Sequence, residues 1–281
     1  MPLSQIEAFH RPTHIEQVWH LLQEGPAVRL VGGGSELAIR CPNDVEVLVD
    51  LAHLGLDAID VAEDGSISVG AMATLTDMME SPALRSLPSD VLGEMMVHVG
   101  SPLLRNAASI GGHLARGWLS DVIPVLLVLD ASVEYYDGEY QRVAMDHYYR
   151  EGIHERLHVL TRVLIPAPQE GHRAAFLRFS RSAYDHALAN AACRLDLRLG
   201  KVEEVRIALS AGFRAATRQP GAEASLDGGG IAEEDIAVAV EHLEVEAHSD
   251  WLASAEYRAH LARTLVARCL RLARERSGGE S

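Results

Sequence analysis

Two short glycine loops constrain this chain of 281 residues more than any other feature. The first, Gly32-Gly33-Gly34, follows the apolar run AVRLV and precedes Ser35 and Glu36; the second, Gly111-Gly112, stands between Ser109-Ile110 and His113. Glycine at the end of a strand serves a turn of positive φ, or it lets another group approach the backbone where a Cβ would stand. Successive N–H groups in such a loop can face one concavity and hold an anion. Ser35 would add a hydroxyl donor, and a helical turn starting near it would add further free N–H groups. A pyrophosphate has two phosphates to satisfy, so two loops of this kind could clamp one from both sides. Two ordinary turns are the alternative reading. A dinucleotide fingerprint would need a small residue where Leu37 stands, and no G-K-[ST] tripeptide of a P-loop occurs.

The formal net charge of −15 argues against nucleic acid, whose binding rests on Lys and Arg neutralising phosphates. It also requires any phosphate site here to rely on backbone donors. The cysteines, Cys41, Cys193 and Cys269, are scattered and form no C-x-x-C, so a disulfide framework, an iron–sulfur cluster or a cysteine zinc site would lack partners. No apolar run is long enough to span a membrane and the opening residues are no signal peptide, which predicts a cytoplasmic protein without membrane insertion.

Along the chain, THIEQVWHLLQEG reads as a helix capped by Thr13, with Ile15, Val18, Leu21 and Leu22 on one face. AVRLV, DVEVLVDL, SISVGA and SVEYYD read as strands and LTDMMES as a helix. SDVIPVLLVLDA reads as a buried helix with Pro124 in its first turn, and RVLIPAP as a strand stopped by prolines. Arg105 and Asn106 could reach a ligand or tie their loop to a helix end. From Ala174 onward AFLRFSR, ALANAACRLDLRL and VEEVRIALSAG predict an antiparallel sheet. SLDGGGIAEEDI reads as a polar linker. A long amphipathic helix follows, with Tyr257, Leu261, Leu265 and Leu272 along one stripe, and the tail SGGES reads as disordered.

The stretches LVGGGSEL, SVGAMATLTDM, SPLLRNAASIGGHLA and SDVIPVLLVLDA, in that order and spacing, resemble the FAD-binding subunit of the molybdenum hydroxylases, the family of xanthine dehydrogenase and carbon monoxide dehydrogenase. FLRFSRSAYDHAL, VRIALSAG and SAEYRAHLARTL extend the resemblance over nearly the whole chain. It implies an α+β fold. A two-lobed FAD-binding domain of the vanillyl-alcohol-oxidase (PCMH) type is expected over residues 1–170, followed over 171–281 by a C-terminal domain of a small antiparallel sheet and helices. It implies FAD, its pyrophosphate held by Leu30, Val31, Gly32, Gly33, Gly34, Ser35, Glu36 and Leu37. Ser109, Ile110, Gly111, Gly112 and His113 would touch the cofactor from the other lobe. Asp121 matches an acidic residue that contacts FAD in the family, and Leu160 and Arg178 fall near positions bordering it.

The implied role is electron transfer. Substrate would be hydroxylated at the molybdenum cofactor of a large partner subunit. Electrons would then pass through the [2Fe–2S] clusters of a small one to FAD on this chain, in a heterotrimer or its dimer, and on to an acceptor. No catalytic acid–base residue and no metal ligand is expected on this chain. A stand-alone flavin oxidase, or a scaffold that has lost FAD, are the alternatives.

The chain departs from the family at His113, where relatives carry Asn or Asp, and at His186, where an aliphatic residue is expected. Arg116 and Trp118 are also unusual in their segment, and Trp118 could be core or could stack on an aromatic ring. His154-Glu155-x-x-His158 fits a zinc-protease signature. That chemistry needs both histidines on one helix face, and a strand-like run ending in Pro166 leaves little room for one. Surface histidines are the expectation.

Overall fold

The computed structural model describes residues 4–183, 185–212 and 214–277. Three short strands, β1 (Ala8–His10), β2 (Val28–Val31) and β3 (Val47–Asp50), pair in parallel in the order β1-β3-β2. Parallel neighbours need crossovers, supplied by α1 (Ile15–Leu22) and by the first glycine loop with the single turn α2 (Leu37–Arg40). Ile15, Val18 and Leu22 are buried against Val28 and Val49, with Leu21 half-buried. The N-cap of α1 is His14, whose side chain makes no cap bond. Thr13 does not cap as expected; its N–H instead donates to Gln17 Oε1 at 3.2 Å.

The second lobe is an antiparallel sheet of β4 (Ile59–Val61), β5 (Ile67–Gly70), β6 (Ser132–Tyr136), β7 (Tyr140–Ala144) and β8 (Val159–Ile165), in the order β4-β5-β8-β6-β7. Between β5 and β6 the chain runs through α3 (Leu75–Glu80), α4 (Pro82–Arg85), α5 (Val91–Met96), α6 (Pro102–Arg105), α7 (Ile110–Arg116) and α8 (Val122–Val128); α9 (Met145–Arg150) follows β7. Thr74 and Asp77 cap α3 reciprocally: the Asp77 N–H donates to Thr74 Oγ1 at 3.1 Å and the Thr74 N–H to Asp77 Oδ2 at 2.9 Å. Thr74→Ala is expected to lower stability by about 1 kcal/mol, read as a lower urea midpoint at unchanged slope.

Four antiparallel strands form the last sheet, β9 (His172–Phe179), β10 (Ala189–Arg198), β11 (Lys201–Ser210) and β12 (Thr217–Arg218), in the order β12-β11-β10-β9. On one face lie α10 (Pro220–Leu226), α11 (Glu233–Glu241) and α12 (Ala255–Ser277); Ala191, Cys193 and Leu195 of β10 join their core. On the other, Ala192 and Ala208 pack into the core that holds α8. A helix apolar all round must be covered all round, and every residue of α8 is buried between the two units.

Two expectations for this region are corrected. SLDGGGIAEEDI is not one linker: its ends belong to α10 and α11, and only residues 227–232 join them. The buried stripe of α12 runs through Arg258, Leu261, Ala262, Leu265, Val266, Cys269, Leu270 and Ala273, while Tyr257 is 43% exposed and Leu272 half-buried. Arg258 can sit inside because its Nη1 donates to the Leu188 carbonyl at 2.9 Å and its Nη2 pairs with Asp250 at 2.7 Å. Ser277 still belongs to α12, and residues 278–281 of the expected tail lie outside the described residues.

Candidate functional site

The two glycine loops lie against each other. A Cβ on Gly33 would run into the Ala107 carbonyl, and one on Gly32 would stand 2.6 Å from Ser109 Oγ. Gly34 takes a positive φ of +67°, turning the chain toward α2. In the first loop the glycines therefore serve close approach as well as a turn.

The loops differ in what their donors do. In the second, Ile110 N–H donates to Ala73 O at 3.0 Å, Gly111 N–H to Ala71 O at 2.8 Å and His113 N–H to Ser109 O at 3.2 Å. Gly112 N–H takes Ser109 Oγ at 3.3 Å, which caps α7. In the first, no acceptor among the described residues takes the N–H groups of Gly32, Gly33, Gly34 or Ser35. The N–H groups of Ile110, Gly111, Gly112 and His113 are thus all engaged within the protein. The first loop offers a row of free backbone donors, the arrangement that holds an anion, and the second backs it. The helical turn near Ser35 exists but is only the four-residue α2, so the donors are those of the loop.

Ion pairs and hydrogen bonds join several of the other candidate residues, in part to the first loop and in part to one another. Leu30 and Val31 close β2, and Glu36 leads into Leu37 at the start of α2. Glu36 Oε2 reaches Arg116 Nη1 at 3.4 Å, tying the first loop to the far end of α7. The Arg116 guanidinium lies over the Trp118 ring, 4.4 Å from its centroid, and its Nη2 is 3.4 Å from His186 Nε2. Trp118 is therefore a stacking residue under a cation. Asp185, next to His186, accepts from Arg178 through its backbone carbonyl. Arg178 also donates to the His98 carbonyl at 2.5 Å and pairs with Asp121 at 3.2 Å.

Asp121 is buried, and its other oxygen accepts from Asn190 Nδ2 at 2.7 Å. Burial pushes its carboxyl above the ordinary value, against the opposing pull of Arg178 and Asn190. Leu160, 8% exposed, lies in the core next to Thr161, whose carbonyl accepts from Ala71 beneath the second loop.

The His113 imidazole is held below its ordinary value. Burial first, then Arg116 and His186, holds it down to about 4, so it is neutral near pH 7. Arg105 and Asn106 serve the loop: Arg105 Nη1 donates to the Val99 and Gly100 carbonyls at 3.0 Å, and Asn106 Oδ1 accepts from Thr76 Oγ1 at 2.6 Å. The zinc signature is dismantled, with His154 and Glu155 in a single 3₁₀ turn and His158 beyond it. His158 is engaged by Tyr148 Oη at 2.9 Å and by the Arg156 carbonyl at 2.8 Å, and His154 packs on Tyr149. Both histidines are half-buried rather than on the surface.

Sequence reasoning missed Asn190 and assigned no role to Arg116. A lone Asn inside the buried run ALANAAC was the available signal for the first. Arg116 stood out only as unusual in its segment, and its role was not legible there because two of its partners, Glu36 and His186, lie about 70 or more positions away.

Residues 4–168 match the family described as FAD binding domain in molybdopterin dehydrogenase, and residues 174–273 match the CO dehydrogenase flavoprotein C-terminal domain. The chain is 27% identical over 289 residues to a putative xanthine dehydrogenase FAD-binding subunit of Escherichia coli K12, covering 97% of this chain and 98% of that one. It is 29% identical over 282 residues to the carbon monoxide dehydrogenase medium chain of Afipia carboxidovorans, covering 96% and 97%. The fold superposes on carbon monoxide dehydrogenase from Hydrogenophaga pseudoflava with a TM-score of 0.86 at 24% identity, covering 96% of this chain and 98% of that one.

Proposed function

The chain belongs to the family of FAD-binding domains of molybdopterin dehydrogenases, and from that premise we propose that it is the electron-transferring flavoprotein subunit of a molybdenum-containing dehydrogenase. FAD is its cofactor. The observation that carries the residue-level reading is the row of free N–H groups from Gly32 to Ser35 on a loop held open by its neighbour. Backbone donors suit a pyrophosphate in a chain of formal charge −15, because they add no side chain and cost no rearrangement.

In this reading Gly32 to Ser35 bind the pyrophosphate, and Leu30, Val31, Glu36 and Leu37 shape the loop. Ser109 to His113 form the opposite wall, with neutral His113 offering one donor and one acceptor. Asp121, fixed by Arg178 and Asn190, and Leu160, in the core of the second lobe, would border the cofactor. FAD, when bound, would supply the electron-transfer chemistry, and the protein's part would be binding, orientation and exclusion of water.

The domain division falls between residues 170 and 171, supported by β8 ending at Ile165 in one sheet and β9 starting at His172 in another. The partners in this reading are a large subunit with the molybdenum cofactor and a small [2Fe–2S] subunit, in a heterotrimer or its dimer. The name medium chain carried by a relative supports it. No described helix is long and apolar enough to cross a membrane, and the cytoplasm is the proposed location.

The test uses the FAD-loaded protein and the substrate turned over by the complex with which it co-purifies. Mixed anaerobically with that substrate, the isolated protein should not bleach, and bleaching should appear when the two partner subunits are added. Bleaching of the isolated protein as fast as in the complex would overturn the electron-transfer role and make this chain an oxidase in its own right.

A further inference from the structure

Arg116 is a guanidinium held in place but not used up. Its side chain is only 15% exposed, yet its two ion-pair and histidine contacts are both 3.4 Å long, against about 2.8 Å for a good charge-assisted hydrogen bond. Its Nε is buried and has no partner among the described residues. A guanidinium carries five N–H donors, so most of its capacity is unspent. The Trp118 face beneath it fixes its plane without consuming a donor.

Its position is the second part of the argument. Arg116 lies where three segments meet: the first glycine loop through Glu36, the end of α7 through Trp118, and the C-terminal domain through His186. The other cation at this loop, Arg40, is 62% exposed and stands 4.0 Å from Glu36, so solvent screens it more strongly. Burial and Arg116 both press His113 and His186 toward the neutral form. A doubly negative pyrophosphate cofactor entering so acidic a chain meets one well-placed, partly desolvated positive charge.

Resting on the proposed FAD site, we infer that Arg116 supplies the positive charge this chain sets against bound FAD, oriented by Trp118 and kept at the first loop by Glu36. Two variants test it, Arg116→Gln, which removes the charge, and Arg116→Lys, which keeps the charge but loses the planar fork. FAD affinity is read by flavin fluorescence on titration of the cofactor-free protein, and the flavin reduction midpoint by titration against a reference dye.

Arg116→Gln should weaken FAD binding about tenfold, the scale of one charged hydrogen bond, and Arg116→Lys should recover part of that loss. A more negative midpoint in Arg116→Gln would place the charge at the flavin; lost affinity at an unchanged midpoint would place it at the pyrophosphate, and both support the inference. Should Arg116→Gln not fold, by circular dichroism of the cofactor-free protein, Arg116→Lys carries the comparison and should bind severalfold more weakly than wild type. A wild type that binds FAD beside a folded variant of the same affinity and midpoint would overturn the inference alone. A wild type that takes up no FAD would overturn the reading beneath it as well.

Discussion

Gly33→Ala is expected to strip the protein of flavin. A single methyl at this position would overlap the Ala107 carbonyl and crowd Ala108 N, which is 3.2 Å from the ideal Cβ site. Both are backbone atoms, so no side-chain rotation relieves the clash and the loops must part. The row of donors from Gly32 to Ser35 would then lose the wall that shapes it. A loss of about 100-fold in FAD affinity, near 2.7 kcal/mol, is the expected scale, with a lowered melting temperature even without cofactor. The ratio of flavin absorbance to protein on purification, followed by an FAD titration, measures it. Gly229→Ala, whose nearest neighbour would be Leu226 O at 3.4 Å far from the site, serves as the control. Wild-type flavin content and melting temperature in Gly33→Ala would show that the contact between the loops does not shape the site. A branched residue at Gly33 would act through this same contact before it reached any phosphate.

The second large effect is structural and lies at the joint between the domains. Asp130, just past the end of α8, pairs with Arg194 at 2.7 Å, Arg206 at 3.0 Å and Arg218 at 2.9 Å. Arg194 and Arg206 lie on β10 and β11, so one carboxylate at the end of the buried helix holds the C-terminal sheet. Asp130→Asn leaves the buried Arg194 with Glu204 and is expected to cost about 2 kcal/mol, the scale of a hydrogen bond between charged groups rather than of a stranded buried charge, because the Asp130 carboxylate is 33% exposed and Glu204 stays paired. Burial by itself would raise the Asp130 carboxyl, but Arg194, Arg206 and Arg218 outweigh it and hold the group below its ordinary value.

The sign of the pH dependence follows. A carboxyl depressed by folding contributes its stability above its unfolded pKa, about 3.9, and loses it as pH falls through the lower folded value. The gap in stability between wild type and Asp130→Asn should therefore be constant above about pH 5 and shrink below about pH 4. Chemical denaturation of both proteins at pH 7 and pH 3 measures it. Equal stability at pH 7 would show that Glu204 and Glu223 hold the arginines without Asp130.

The glycine loops, the strands that lead into them and the helix of residues 122–128 were legible in the sequence because each is a local statement. A Gly run needs no neighbour to permit a close approach, and VIPVLLV has no polar face to expose. The order of such stretches carried the family and, with it, the fold and the cofactor. Helix ends and stripes were less legible. Thr13 lost its cap role to its neighbour His14, and Arg258 entered the core of α12, because the Leu188 carbonyl and Asp250 stood ready to receive it.

By itself, then, the sequence determined where the backbone could bend, which segments had to be buried, and which glycine loops could offer N–H groups to a phosphate. Only the tertiary structure decided which of the two loops keeps its donors free, since β5 and the turn after it consume those of the second through Ala71 and Ala73. Only it decided that His113 stays neutral, that Asp121 is locked by Arg178 and Asn190, and that Arg116 stands between two domains. The physical reason is common to all of these. Donor occupancy, desolvation and ion pairing depend on distances between residues tens of positions apart in the chain, and a linear pattern carries no such distance.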